Sequence, residues 1–177
     1  MTEPIFFDTD CLSAFLWVDE QSILPQLFPG RIVIPQAVYD ELLNSRVNML
    51  INRIDILRGN GQVELRSIEV DSKEYAMFEE FTQHPAHGHR AIGDGEAEAI
   101  ALAVNNDGIL ASNNLKDIKQ YVDDYSIKHI TTGDILKEAL DKYIISEEEG
   151  NAIWSEMLRR RRWLGADSFT EFLRGCE

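Results

Sequence analysis

Near its start the chain reads Ile5-Phe6-Phe7-Asp8-Thr9-Asp10-Cys11-Leu12. Three consecutive apolar residues fit a short strand buried on both faces, and the acid that follows lies where strand gives way to loop. The same grammar recurs downstream. Arg31-Ile32-Val33-Ile34 is a β-branched strand set off by Pro29-Gly30, with Pro35 placed well for a helix start. Val63–Val70 reads as an edge strand because of its charges, Ile109-Leu110-Ala111 as a further short strand and His129-Ile130 as the last. Helices are expected at Cys11–Val18, Gln36–Leu43, Met49–Arg58, Lys73–Phe81 after an Asp71-Ser72 cap, Glu96–Val104 and Leu115–Val122. Ile135–Tyr143, Glu147–Arg161 and Phe169–Leu173 follow as helices to the end. Strand–helix alternation of this kind predicts an α/β fold with a mostly parallel central sheet. In such folds chemistry gathers where the C-terminal ends of strands meet their loops.

Composition narrows the function classes. The 177 residues are 44% hydrophobic, enough for a real core. Lys and Arg total 17 against 31 Asp and Glu, a net charge of −14. That excludes a basic nucleic-acid-coating protein, whose affinity comes from neutralising phosphates. It leaves room for an enzyme that meets nucleic acid through metal ions and one basic patch. Cys11 and Cys176 cannot build a disulfide framework and suit a reducing compartment. No apolar run approaches a membrane span, and Met1–Phe7 carries an acid where a leader would be basic, so a soluble cytoplasmic protein is expected.

The placement rule selects the acids. Asp8 ends the first strand at the rim of the sheet, while Asp10, adjacent to the expected helix, suits the N-cap better. Glu41 sits beside the apolar stripe of Val38 and Leu42, where a carboxylate needs a partner, a metal or a pocket. Gly93-Asp94-Gly95-Glu96-Ala97-Glu98-Ala99 delivers acids onto the first turn of an Ala-rich, tightly packed helix. Glu96 is the first choice there, with Glu98 and Asp94 next. Ser112-Asn113-Asn114 follows the strand Ile109–Ala111, with Asp117 one turn on. Asn in that position caps a helix, or ligates a metal through its carbonyl oxygen. Hard oxygen groups from separate rims of one parallel sheet describe a magnesium or manganese site, and such ions activate water against a phosphodiester.

With Phe7–Leu12, Ile32–Leu42, Gly95–Ala103 and Ile109–Asp117 in this order, the chain resembles the PIN-domain family of metal-dependent ribonucleases, which includes VapC-type toxins. The resemblance implies a Rossmann-like three-layer α/β/α sandwich over residues 1–145, with residues 146–177 as a helical extension packed on the same domain. It implies an endoribonuclease using Mg²⁺ or Mn²⁺, with Asp8, Glu41, Glu96 and Asn114 as catalytic residues. Asp8, Glu41, Glu96, Glu98, Asn113 and Asp117 are the expected metal ligands. Asn stands where many members of the family place a fourth acid. The resemblance also implies an RNA substrate, a toxin role with a cognate antitoxin, and a homodimer. Alternatives are a PIN-fold binding module with weakened catalysis and, from Asp8-Thr9-Asp10, an aspartate-nucleophile phosphatase.

Two further signals stand apart. His84-Pro85-Ala86-His87-Gly88-His89-Arg90 has transition-metal-like spacing but is a single cluster, and a substrate-touching loop with Arg90 on phosphate is the preferred reading. Arg159-Arg160-Arg161-Arg162-Trp163 is the only basic run, and from it Arg160 and Trp163 are expected to grip phosphate and stack on a base.

Overall fold

A computed structural model describes residues 3–86 and 88–176. Strands β1 (Ile5–Phe7), β2 (Ile32–Pro35), β3 (Glu64–Arg66), β4 (Ile109–Ala111) and β5 (Lys128–Ile130) form one sheet in the order β3-β2-β1-β4-β5. Every neighbouring pair is parallel, with Ile5 opposite both Ile32 and Ile109. The order reverses between β1 and β4. In an open parallel sheet the crevice lies beyond the strand ends at such a reversal. Here those ends are Phe7 and Ala111, so the residues that follow, Asp8 and Ser112, open onto it.

Ten helices complete the chain among the described residues: α1 (Thr9–Trp17), α2 (Ile23–Leu27), α3 (Gln36–Asn44), α4 (Asn48–Gly59) and α5 (Lys73–Gln83), then α6 (Asp94–Asn105), α7 (Leu115–Asp124), α8 (Thr132–Asp141), α9 (Glu147–Arg159) and α10 (Phe169–Gly175). Side chains alternate across each strand. Ile5, Phe7, Ile32, Ile34 and Ala111 therefore face one apolar cluster with α1, α3, α4, α8 and α9. Phe6, Val33 and Leu110 face the other, with α5, α6 and α7. This is the expected α/β/α sandwich, and burial on both faces is why the strands read as unbroken apolar runs. Trp154 and Met157 of α9 and Phe169 of α10 lie in the same cluster as Ile5 and Phe7.

Boundaries differ from expectation for local reasons. Asp8, not Asp10, caps α1: its Oδ1 accepts the Cys11 amide at 2.7 Å, so the helix starts at Thr9. β3 stops at Arg66, and the nearby Ile68 amide bonds to the Glu98 side chain instead of a strand. α8 begins at Thr132 because Thr131 and Asp134 cap it reciprocally. The short α2 has no counterpart in the sequence reading, because Pro25 in its first turn hides it. Proline is tolerated there, where an amide would be unpaired anyway.

Candidate functional site

Asp8 is the deepest acid of the crevice, 1% exposed. Capping α1 uses Oδ1, while Oδ2 is buried with no hydrogen-bond partner. Burial is the main force pushing its pKa up to about 7, and the acids Asp10 and Glu96 add to it against the Ser112 hydroxyl and the Cys11 amide. A buried carboxylate oxygen without a donor is costly unless it gains a proton or a cation.

A cleft of about 190 Å³ adjoins it, lined by Thr9, Asp10, Ser13, Glu41, Gly93, Glu96 and Arg162. Glu41 reaches in from α3. Its Oε1 accepts the Gly95 amide at 2.8 Å and its Oε2 accepts the Thr9 hydroxyl. The absent side chain at Gly95 makes room for this pair: a Cβ there would lie 2.7 Å from Thr9 Oγ1 and 2.8 Å from Glu41 Oε2 and would displace them. Glu96 comes from the first turn of α6. Asn114 donates to Glu96 Oε1 at 2.7 Å and to Asp117 Oδ2 at 2.8 Å. Both partners only accept, so the amide group of Asn114 must face them. It ties together two carboxylates that would otherwise repel. Burial raises the pKa of Glu96, opposed first by that Asn114 bond. Asp10 is raised by burial and lowered by Arg162, whose Nη1 lies 3.4 Å from Asp10 Oδ1 and 3.3 Å from Ser13 Oγ.

An acid crevice at the strand reversal of a parallel α/β/α sandwich is the frame against which the comparison with known families is decisive. The model of one PIN-domain family, DUF3368, matches residues 4–177. The chain belongs to the PIN-domain family. PIN domains are generally nucleases, so this is a nuclease fold, and the family match continues through α9 and α10. Among curated proteins, no sequence matches the chain.

Within this PIN domain the structure brings Glu41 and Glu96 into one cleft beside Asp8, with Asn114 and Asp117 attached through Glu96. Glu98 is elsewhere: its oxygens accept the Ala37 amide and, at 3.1 Å, the Ile68 amide, so both are spent on the backbone. Asn113 is also spent. It donates to Thr132 Oγ1 at 2.8 Å and accepts the Thr132 amide at 2.8 Å, clasping the start of α8. Neither lines the cleft of Glu41 and Glu96. Arg160 pairs with Glu156 at 3.3 Å and lies over the Trp17 ring, so the arginine reaching the acids is Arg162. Arg90 is exposed and Trp163 is 72% exposed, beside a neighbouring hollow. His89 pairs with Asp124 at 3.2 Å on α7, His84 is exposed and His87 lies outside the described residues. None of the described residues of the histidine loop lines the acid cleft.

Sequence reasoning missed Thr9 and Arg162. Thr9 carries no local signal beyond its place between two acids. The Arg162–Asp10 contact spans 152 positions, and only the fold creates it.

The donor set fits a divalent cation in type: hard oxygens, an acidic surround and one unpartnered buried carboxylate oxygen. Among the described residues, no group of three or more His, Cys, Asp or Glu is gathered closely enough to hold a metal ion. Glu41 and Asn114 are tied to neighbours instead of turned to one centre. The phosphatase alternative, which rested on Asp8-Thr9-Asp10 alone, gains no support from this geometry. No helix among the described residues is long and apolar enough to cross a membrane.

Proposed function

We propose that the chain is an endoribonuclease dependent on Mg²⁺ or Mn²⁺, with Asp8 and Glu96 holding the ion and Glu41 and Asp10 completing its acidic surround. The observation that carries the reading is Asp8 Oδ2, buried and unpartnered where the strand order reverses. When bound, such an ion supplies positive charge to a phosphodiester and activates water for in-line attack. The chain's own residues do the rest. Asp8 is held by its capping bond, so its direction is fixed before any ligand arrives. Asn114 keeps Glu96 and Asp117 in place against their repulsion. Glu41 is pinned by Thr9 and Gly95 at the wall of the cleft. Arg162 is the cation at the mouth, where a phosphate entering an acidic cleft needs one.

The test is Asp8→Asn in a Mn²⁺-supplemented cleavage assay on mixed RNA, with calorimetry for Mn²⁺. Loss of both cleavage and Mn²⁺ binding is expected. Undiminished cleavage by that variant refutes the assignment.

A second reading is a PIN-fold binding module without turnover, favoured by the commitment of Glu41 to Thr9 and Gly95 and by an amide at Asn114. It predicts intact RNA and no Mn²⁺ heat with the unaltered chain. The nuclease proposal extends to a toxin role, with a cognate antitoxin covering the cleft, and to a homodimer in the reducing cytoplasm. Sedimentation of the purified chain and growth arrest on its expression test these extensions.

A further inference from the structure

The acid cleft has a neighbour. A hollow of about 260 Å³ is lined by Asn114, Leu115, Lys116, Thr131, Trp163 and Leu164, among others. Two links join it to the cleft. Asn114 lines the hollow and bonds to Glu96, which lines the cleft; Arg162 lines the cleft and is followed in the chain by Trp163, which lines the hollow. Trp163 is 72% exposed and Leu115 43%, whereas Trp154 is fully buried and Trp17 packs against the core. Lys116 is exposed, and no acid among the described residues pairs with it. Arg159 and Arg160, by contrast, are both occupied by Glu156.

We propose that this hollow is a nucleobase subsite, in which the base next to the scissile phosphate stacks on Trp163. The proposal rests on the nuclease reading and adds the part of the substrate that the chain recognises. An indole face accepts any base, because every base has a π-face. A chain of charge −14 repels a polyanion, so the strand must follow the cations at the two openings. Arg162, in a loose 3.4 Å contact with Asp10, lines the cleft and Lys116 lines the hollow, so each opening offers a cation to a phosphate. A stacked base must have an uncovered face, so a nucleotide already locked in a duplex is refused.

The test measures anisotropy of a short labelled oligoribonucleotide with the full chain carrying Asp8→Asn, which keeps the RNA uncut. Adding Trp163→Ala weakens binding roughly tenfold, the value of one base on one ring, and Trp163→Phe restores most of it. The same strand annealed to its complement binds the parent less tightly and does not respond to Trp163→Ala. In the chain with Asp8 intact and Mn²⁺ present, Trp163→Ala raises KM for RNA with little change in kcat. Equal affinity of Trp163→Ala and its parent overturns the proposal, as does an equal loss on duplex. A change in sedimentation without a change in RNA binding makes the hollow a contact between protein chains and also overturns it. If the unaltered chain neither binds nor cleaves RNA, the nuclease reading fails first. If it cleaves with Mn²⁺ and Trp163→Ala leaves KM unchanged, only the subsite fails.

Discussion

Among the described residues, Asp8 and Glu98 are the two buried acids of this PIN domain, 1% and 3% exposed, and burial raises the pKa of both. Their surroundings differ in one respect. Glu98 spends one oxygen on the Ala37 amide at the start of α3 and the other on the Ile68 amide after β3. It is a strut that fixes three elements to one another through α6. Asp8 spends one oxygen on its cap and leaves the other unanswered. A carboxylate whose lone pairs are filled by the fold is architecture; one left short by the fold in a crevice is available to a ligand.

The contrast is sharpest in activity. Asp8→Asn is expected to lower Mn²⁺-dependent RNA cleavage about a hundredfold or more, because it removes the negative charge of the buried carboxylate proposed to hold the ion. Glu98→Gln should leave the rate close to that of the parent once the protein is folded. Cleavage assays on both variants at matched folded concentration decide it. Loss of activity in Glu98→Gln with an unchanged melting temperature would contradict the division of roles.

Stability reverses the ranking. Glu98→Gln keeps one acceptor oxygen but turns an NH₂ toward an amide that needs an acceptor, which costs about 1–3 kcal/mol. For a chain of this size that is a fall in Tm of several degrees, about 2–4 °C for each kcal/mol. Asp8→Asn behaves differently with pH. The carboxyl of Asp8 has its pKa raised from 3.8 to about 7 in the folded chain, so folding favours its neutral form. Its contribution is therefore fully present below about pH 4 and is lost as pH rises to about 7, by at most about 4 kcal/mol. In metal-free buffer, Asp8→Asn should gain stability relative to the parent between pH 5 and pH 8. Denaturant unfolding at the two pH values reads the difference, and an identical gap at both would show that Asp8 does not titrate in this window. Adding Mn²⁺ at pH 8 should close the gap by stabilising the parent alone.

How much of this was legible beforehand follows from what is local and what is not. The strands were readable because burial on both faces leaves unbroken apolar runs, as in Ile5–Phe7 and Ile32–Ile34. The rim position of Asp8 followed from the end of its strand. The roles of Glu96 and Glu98 did not, because the two acids, two positions apart on one helix, look alike in the sequence, and only the arrival of Ala37 and Ile68 from other elements distinguishes them. Likewise Asn113 and Asn114 are adjacent and identical, yet one clasps Thr132 and the other bridges Glu96 and Asp117. The basic run advertised its charge but not which member faced inward. Arg161 adopts φ 58°, a left-handed turn after α9, and Arg162 follows it back onto Asp10.

That turn supplies the smallest and most selective prediction. Arg160 and Arg162 differ by two positions and carry the same charge, so a general electrostatic role would make them interchangeable. Arg160 is exposed, paired with Glu156 and laid over Trp17, an arrangement worth about 1 kcal/mol or less. Arg160→Ala should therefore barely change melting temperature or RNA affinity. Arg162→Ala removes the one described cation in contact with the acid cleft, and the salt dependence of RNA binding should become shallower by about one phosphate contact. Binding isotherms over a range of salt concentrations separate the two variants. If Arg160→Ala flattens the salt dependence as much as Arg162→Ala does, the phosphate path runs along the outside of α9 and not through the mouth beside Asp10.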